Sequence, residues 1–154
     1  MTNLKIPILY GVIIAACLAA YFLILSIFGL HVNPVYSILN GFIMAAGLWL
    51  ALKAYRKDKG NKFKYQKGFS LIFLTGINAT VIFVIFFGLY ATEFNPDFLD
   101  QLINMWATFY NTNIGIVLFT IALMGASTSI VLALAYMQLF KDSWNTKEAK
   151  KHTL

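Results

Sequence analysis

The sequence predicts an all-α polytopic membrane protein, with four transmembrane helices and an amphipathic helix on the outer face between the third and fourth. Three observations carry that prediction. The 154 residues are 60% hydrophobic and only 12% charged, which lies outside soluble-domain composition. The apolar residues gather in four uninterrupted runs, at 7–30, 34–55, 68–90 and 114–140, and roughly 20 residues suffice to cross a bilayer core about 30 Å thick. Finally, all twelve Lys and Arg residues fall on one side of the map those runs define. A membrane β-barrel would instead show segments of about 10 residues alternating apolar and polar. These runs are apolar on every side.

The first run follows a short basic start, residues 1–5, as a cleavable signal would, and Ile14-Ala15-Ala16-Cys17 resembles a lipoprotein cleavage box. Apolar residues nevertheless continue from 18 to 30, without the polar stretch that begins a mature lipoprotein, so this span is expected to be retained. Cys17 is the single cysteine. It excludes an intramolecular disulfide framework and a cysteine-based zinc site, and its apolar neighbours suit an inert packing residue.

The second run opens at Asn33-Pro34, and the amphipathic segment opens at Asn95-Pro96. In each, an N-capping side chain precedes a proline suited to the first helical position. The third run follows the basic stretch from Arg56 to Lys67. Beyond Asn95, polar Asp97, Asp100, Gln101, Asn104, Thr108 and Asn111 recur at helical steps, with Leu99, Leu102, Ile103, Trp106 and Tyr110 on the complementary side. Two readings use these residues equally well: a helix lying in the outer interface, or a short helix capping the bundle. The fourth run is followed by a short basic tail, 141–154. A faint echo, Phe28-Gly29-Leu30 with Asn33-Pro34 and Phe87-Gly88-Leu89 with Asn95-Pro96, hints at a parallel repeat of two-helix units.

Charge sets the expected orientation. The formal net charge is +6, which in a soluble protein would raise the question of nucleic acid. Here twelve cations against Asp58, Asp142 and Glu148 leave +9 on one face, while Glu93, Asp97 and Asp100 place −3 on the other. The positive-inside rule then puts both termini and the basic loop on the cytoplasmic side, so the excess of cations reads as a topology signal, with no nucleic-acid partner expected.

An ionisable side chain at mid-membrane costs about 2.5 kcal/mol or more and is usually functional. No Asp, Glu, Arg or His lies in the middle of a run, and Lys53 is close enough to the end of the second to snorkel. Proton pumping, carboxylate-dependent exchange and intramembrane metalloproteolysis lose their usual groups. No catalytic residue, cofactor motif or metal-ligand spacing is present, and the chain is expected not to be an enzyme. His31, in the first outer turn, reads as a solvated loop residue.

Uncharged polar residues occur at mid-depth: Thr75 and Asn78 in the third run, and Ser127 and Thr128, with Ser129, in the fourth. They form a candidate polar cluster that could line a path. The plainer reading is ordinary helix packing through interhelical and back-bonded hydroxyls. Small residues at three- and four-residue steps mark candidate contact faces: Gly11, Ala15 and Ala19; Gly41 and Ala45; Ala122, Ala126, Ser129 and Ala133. Arg56, Lys57, Lys59, Lys62, Lys64 and Lys67 are candidate contacts for anionic lipid at up to about 1 kcal/mol per cation, with Phe63 and Tyr65 dipping into the interface. Alternatively, the loop only locks the topology.

Tyr10-Gly11-Val12-Ile13-Ile14 with Tyr21-Phe22-Leu23-Ile24, the stretch from Tyr65 through Lys67-Gly68-Phe69, and Asn95-Pro96-Asp97-Phe98 give the chain a family likeness. It resembles the domain of unknown function 4199 family, small four-helix membrane proteins of Bacteroidota, over nearly its whole length. The resemblance implies location and architecture and supplies no site residues. The expected function is therefore a non-enzymatic accessory or scaffolding membrane protein acting through helix packing and lipid contact, as a homo-oligomer or within a larger complex. The competing expectation is a channel or transporter component for a small neutral or apolar solute.

Overall fold

Four long helices run back and forth, joined by one tight turn, one basic connection and one connection that contains a shorter helix. A computed structural model describes residues 4–31, 33–60, 63–106 and 113–139. The helices are α1 (Lys5–Ile27), α2 (Ile38–Lys59), α3 (Tyr65–Leu89), α4 (Pro96–Trp106) and α5 (Ile114–Gln138). There is no strand among the described residues. α1, α2, α3 and α5 are long and apolar enough to cross a membrane. The basic tail and Lys62 lie outside the described residues.

The ends of these helices follow local chemistry. α1 stops at Gly29, whose φ of +68° is open to glycine at no steric cost. The Gly29 N–H donates to the Ser26 carbonyl at 3.0 Å and the Leu30 N–H to the Leu25 carbonyl at 2.9 Å, which closes the helix end in a Schellman turn. Asn33 accepts from the Val35 N–H at 3.0 Å, as its Asn-Pro pairing predicts, but it caps a single 3-10 turn, Pro34–Ser37, that leads into α2. Asn95 likewise accepts from the Phe98 N–H at 3.2 Å. Asn113, which the sequence reading passed over, caps α5 by accepting from the Ile116 N–H at 3.1 Å. The helical path of α3 runs on beyond Leu89 as one π turn, Tyr90–Phe94, closed by the Asn95 N–H on the Tyr90 carbonyl at 2.9 Å.

α3 is the central helix, packed against α1, α2 and α5. The contacts turn on glycine. A Cβ on Gly11 of α1 would lie 2.8 Å from the Asn78 Cβ on α3, and one on Gly47 of α2 would lie 2.7 Å from the Ile14 Cδ1 on α1. Between α3 and α5 the arrangement is reciprocal. Gly76 takes the side chain of Ser129, with the Ser129 Cβ 2.6 Å from where a Gly76 Cβ would stand, and Gly125 takes the side chain of Thr80. Each hydroxyl donates to the glycine carbonyl four residues back in its own helix, Thr80 to Gly76 at 2.8 Å and Ser129 to Gly125 at 2.7 Å. Close backbone approach and satisfied hydroxyls are thus obtained together, which is how helices associate where lipid is as apolar as leucine. Further along the same antiparallel register, Gly68 receives the Met137 sulfur, 3.0 Å from where a Cβ would stand.

α4 packs on the end of the bundle. Phe98 is buried and Leu99 and Leu102 pack against the core, while Asp97, Asp100, Gln101 and Asn104 are exposed. The part of its apolar face formed by Phe98, Leu99 and Leu102 is therefore covered by protein, as a capping helix requires, while Thr108, Tyr110, Asn111 and the Trp106 side chain lie outside the described residues.

Candidate functional site

α2 and α5 touch at one end and part at the other. The Tyr136 hydroxyl, in the last turn of α5, donates to the Ala45 carbonyl near the middle of α2 at 2.7 Å, and its ring lies 5.3 Å from that of Trp49. Toward the end where α1 turns into α2, the two helices separate around a chamber of about 420 Å³. That volume is within the range of small-molecule sites. Leu18 and Phe22 of α1, Met44 of α2, Phe83 and Phe87 of α3 and Ile121 of α5 supply much of its apolar wall. The lining extends to Ile38 and Met124, which are 65% and 61% exposed, so the mouth lies on the outward surface between α2 and α5.

An aromatic cluster roofs the chamber. Phe22 is its hub, with ring centroids at 5.7 Å to His31, 5.5 Å to Phe87, 5.0 Å to Tyr90 and 5.8 Å to Phe98. These rings come from α1, the turn after it, α3, the π turn and α4. The Tyr90 hydroxyl bonds with Ser26 and accepts from the Asn95 side-chain amide at 3.2 Å, tying the ends of α1 and α3 to the start of α4.

His31 departs from its sequence reading. Its ring is held 4.5 Å from that of Phe98, and both ring nitrogens are buried with no hydrogen-bond partner among the described residues. Phe22 of the preceding helix and, from the distant stretch after α3, Tyr90 and Phe98 close over it, so a residue read as solvated is half-buried among rings. Loss of hydration pushes its pKa down, favouring the neutral imidazole. Asn40 of α2, also in the lining, has a buried Oδ1 with no partner among the described residues. The sequence signal for it was present, an asparagine inside an apolar run. The signal for the His31 cage was not, because no local pattern shows which rings converge.

The mid-membrane candidates occupy different places. Thr75 is fully buried and donates to the Leu71 carbonyl at 2.7 Å. Asn78 is half-buried and sits with Thr75 at the Gly11 contact with α1. Ser127 is exposed. Thr128 donates to the Met124 carbonyl at 2.8 Å, and of these four residues it alone lines the chamber. Thr80 and Thr120, which the sequence reading did not single out, line it as well.

On the basic connection, Arg56, Lys57, Lys64 and Lys67 are exposed. Lys59 pairs with Asp58 at 2.7 Å and lies 5.8 Å from the Tyr55 ring centroid. Phe63, expected at the lipid interface, instead turns inward: it packs at Gly68 and on Tyr55, with rings 6.1 Å apart. Glycine at 68 leaves the space it fills. Cys17 faces outward.

Fold and chamber together define a four-span helical membrane protein with a largely apolar, uncharged interior. The family described as protein of unknown function (DUF4199) matches residues 9–138, and the chain belongs to that family. No curated protein and no solved structure matches it. The matched region runs from the first turns of α1 to the end of α5, so chamber, roof and glycine contacts all fall within the family's common unit.

Proposed function

We propose that this chain is a non-enzymatic accessory or scaffolding protein of the bacterial cytoplasmic membrane, acting through helix packing and lipid contact, with both termini in the cytoplasm. The observation that supports this reading is how the buried hydroxyls are used. Thr75, Thr80 and Ser129 each donate to a carbonyl of their own helix, at helix–helix contacts. Outside, Leu9, Leu50, Val81, Ile85, Phe119 and Val131 present a broad apolar surface suited to lipid or to another membrane subunit. On this reading the exposed cations of the basic connection contact anionic headgroups, and neither nucleic acid nor a cofactor takes part.

Detergent extraction of native membranes after mild crosslinking, followed by affinity purification, tests it. A stoichiometric membrane partner or a defined homo-oligomer is expected. A chain that purifies alone and monomeric argues against the proposal. The chamber favours a second reading, a component that passes a small neutral solute. Flux in reconstituted vesicles that disappears in Thr128→Val would put this second reading in place of the first.

A further inference from the structure

We propose that the chamber between α2 and α5 binds an uncharged amphipathic molecule drawn from the bilayer, an alcohol or amide on an apolar chain, with its head against His31 and Asn40. The inference stands beside either functional reading and rests on the chamber's own chemistry.

The lining excludes charge. Among the described residues around the chamber there is no Asp, Glu, Lys or Arg, and an ionic head buried there would have no counter-ion. The route of entry follows from the mouth between α2 and α5, where exposed Ile38 and Met124 belong to helices long and apolar enough to cross a membrane. A molecule already dissolved in the bilayer reaches it without crossing water.

The head group follows from which polar atoms are free. The hydroxyl protons of Thr80, Thr120 and Thr128 go to carbonyls one turn back, at 2.8 Å in each case. The Tyr21 hydroxyl donates to the Tyr36 carbonyl at 2.9 Å, and the Asn33 Oδ1 is taken by the Val35 N–H. Ser37 is exposed at the turn, and of the lining's buried side-chain nitrogens and oxygens both His31 ring nitrogens and the Asn40 Oδ1 have no partner among the described residues. Native interiors seldom leave such atoms orphaned. The Asn40 Oδ1 needs a donor, and a neutral imidazole offers one donor and one acceptor. A hydroxyl can both donate and accept, and an amide supplies both groups. A ketone or ether only accepts, and would leave Asn40 unpaired.

The test uses the full chain in phosphatidylcholine nanodiscs, with a long-chain alcohol carrying a photoactivatable diazirine as the probe. Saturable labelling on α2 and α5 peptides is expected, centred near Met44 and Met124. Unlabelled alcohol of the same chain length should displace the probe. The matching methyl ether, carboxylate and trimethylammonium should each need roughly tenfold more, the difference one buried hydrogen bond makes. Gly41 lines the chamber and an added Cβ there meets nothing within 4 Å. Gly41→Leu should therefore fill the space with no loss of thermal stability, and should abolish saturable labelling. Asn40→Ala should weaken alcohol binding roughly tenfold and erase its advantage over the ether. Labelling that never saturates, as water or bulk lipid in the chamber would give, overturns the proposal. So does labelling that survives Gly41→Leu, or an ether that competes as well as the alcohol.

Discussion

A neutral imidazole enclosed by rings is sensitive to pH in one direction. Burial lowers the pKa of His31 from its ordinary 6.5, so the unfolded chain takes up a proton before the folded chain does. Stability from this group is therefore complete above about pH 6.5 and is lost progressively as the pH falls below that value. The protein should melt at a lower temperature at about pH 5.5 than at about pH 7.5, and His31→Phe, which keeps a ring between Phe22 and Phe98, should flatten the difference. Thermal denaturation of purified protein at the two pH values measures it. Equal pH dependence in both proteins would show that His31 is hydrated after all. His152 is present in both and cancels from the comparison.

At the scale of helices, what was legible depended on what surrounds each element. α4 has protein on one side and exposed Asp97, Asp100, Gln101 and Asn104 on the other, so its three- and four-residue polar pattern reads directly from sequence. The four spans are apolar all round, and periodicity carries no information about which face meets protein and which meets lipid. Small residues were the remaining guide, and they guided unevenly. Gly11, Ser129 and Ala133 do sit at contacts, whereas Gly41 opens onto the chamber, and Gly47, Gly76 and Gly125 were not picked out. A glycine marks a contact only through the side chain opposite, and that side chain belongs to another helix. The α3–α5 clasp makes the dependence measurable. Gly76→Ala drives a methyl into Ser129 and should cost about 1–3 kcal/mol, as overpacking does. Adding Ser129→Gly removes the obstruction and should restore most of the loss, read as the coupling in a double-mutant cycle of unfolding in mixed micelles. Additive losses would mean that the two residues do not meet.

For the molecule as a whole, the legible part was the alternation of charge along the chain. Lys5, Arg56, Lys57, Lys64 and Lys67 belong to the ends of α1, α2 and α3 that lie together at the basic end, and Asp97 and Asp100 belong to α4 at the opposite end. The positive-inside rule converts this into an expected orientation. Reporter fusions after Lys62 and after Asp100 should report opposite sides of the membrane, the first cytoplasmic, and a shared side would refute the arrangement. The chamber was not legible at this scale, because its walls come from every helix of the bundle and its volume from the divergence of α2 and α5 beyond the Tyr136–Ala45 contact.

The pairing of α3 with α5 also sets heights. Gly68 with Met137, Gly76 with Ser129, and Thr80 with Gly125 are steps of a single antiparallel ladder, a small residue opposite a larger one on each. Sliding either helix by one turn, about 5.4 Å along the membrane normal, would set Thr80 against Ser129 or leave Gly76 facing Gly125. The first jams and the second leaves a void. The two helices can therefore splay or tilt about their seam but cannot telescope. A bilayer of different thickness must adapt to this bundle, by thinning or by tilting it whole, because the bundle has only one length to offer.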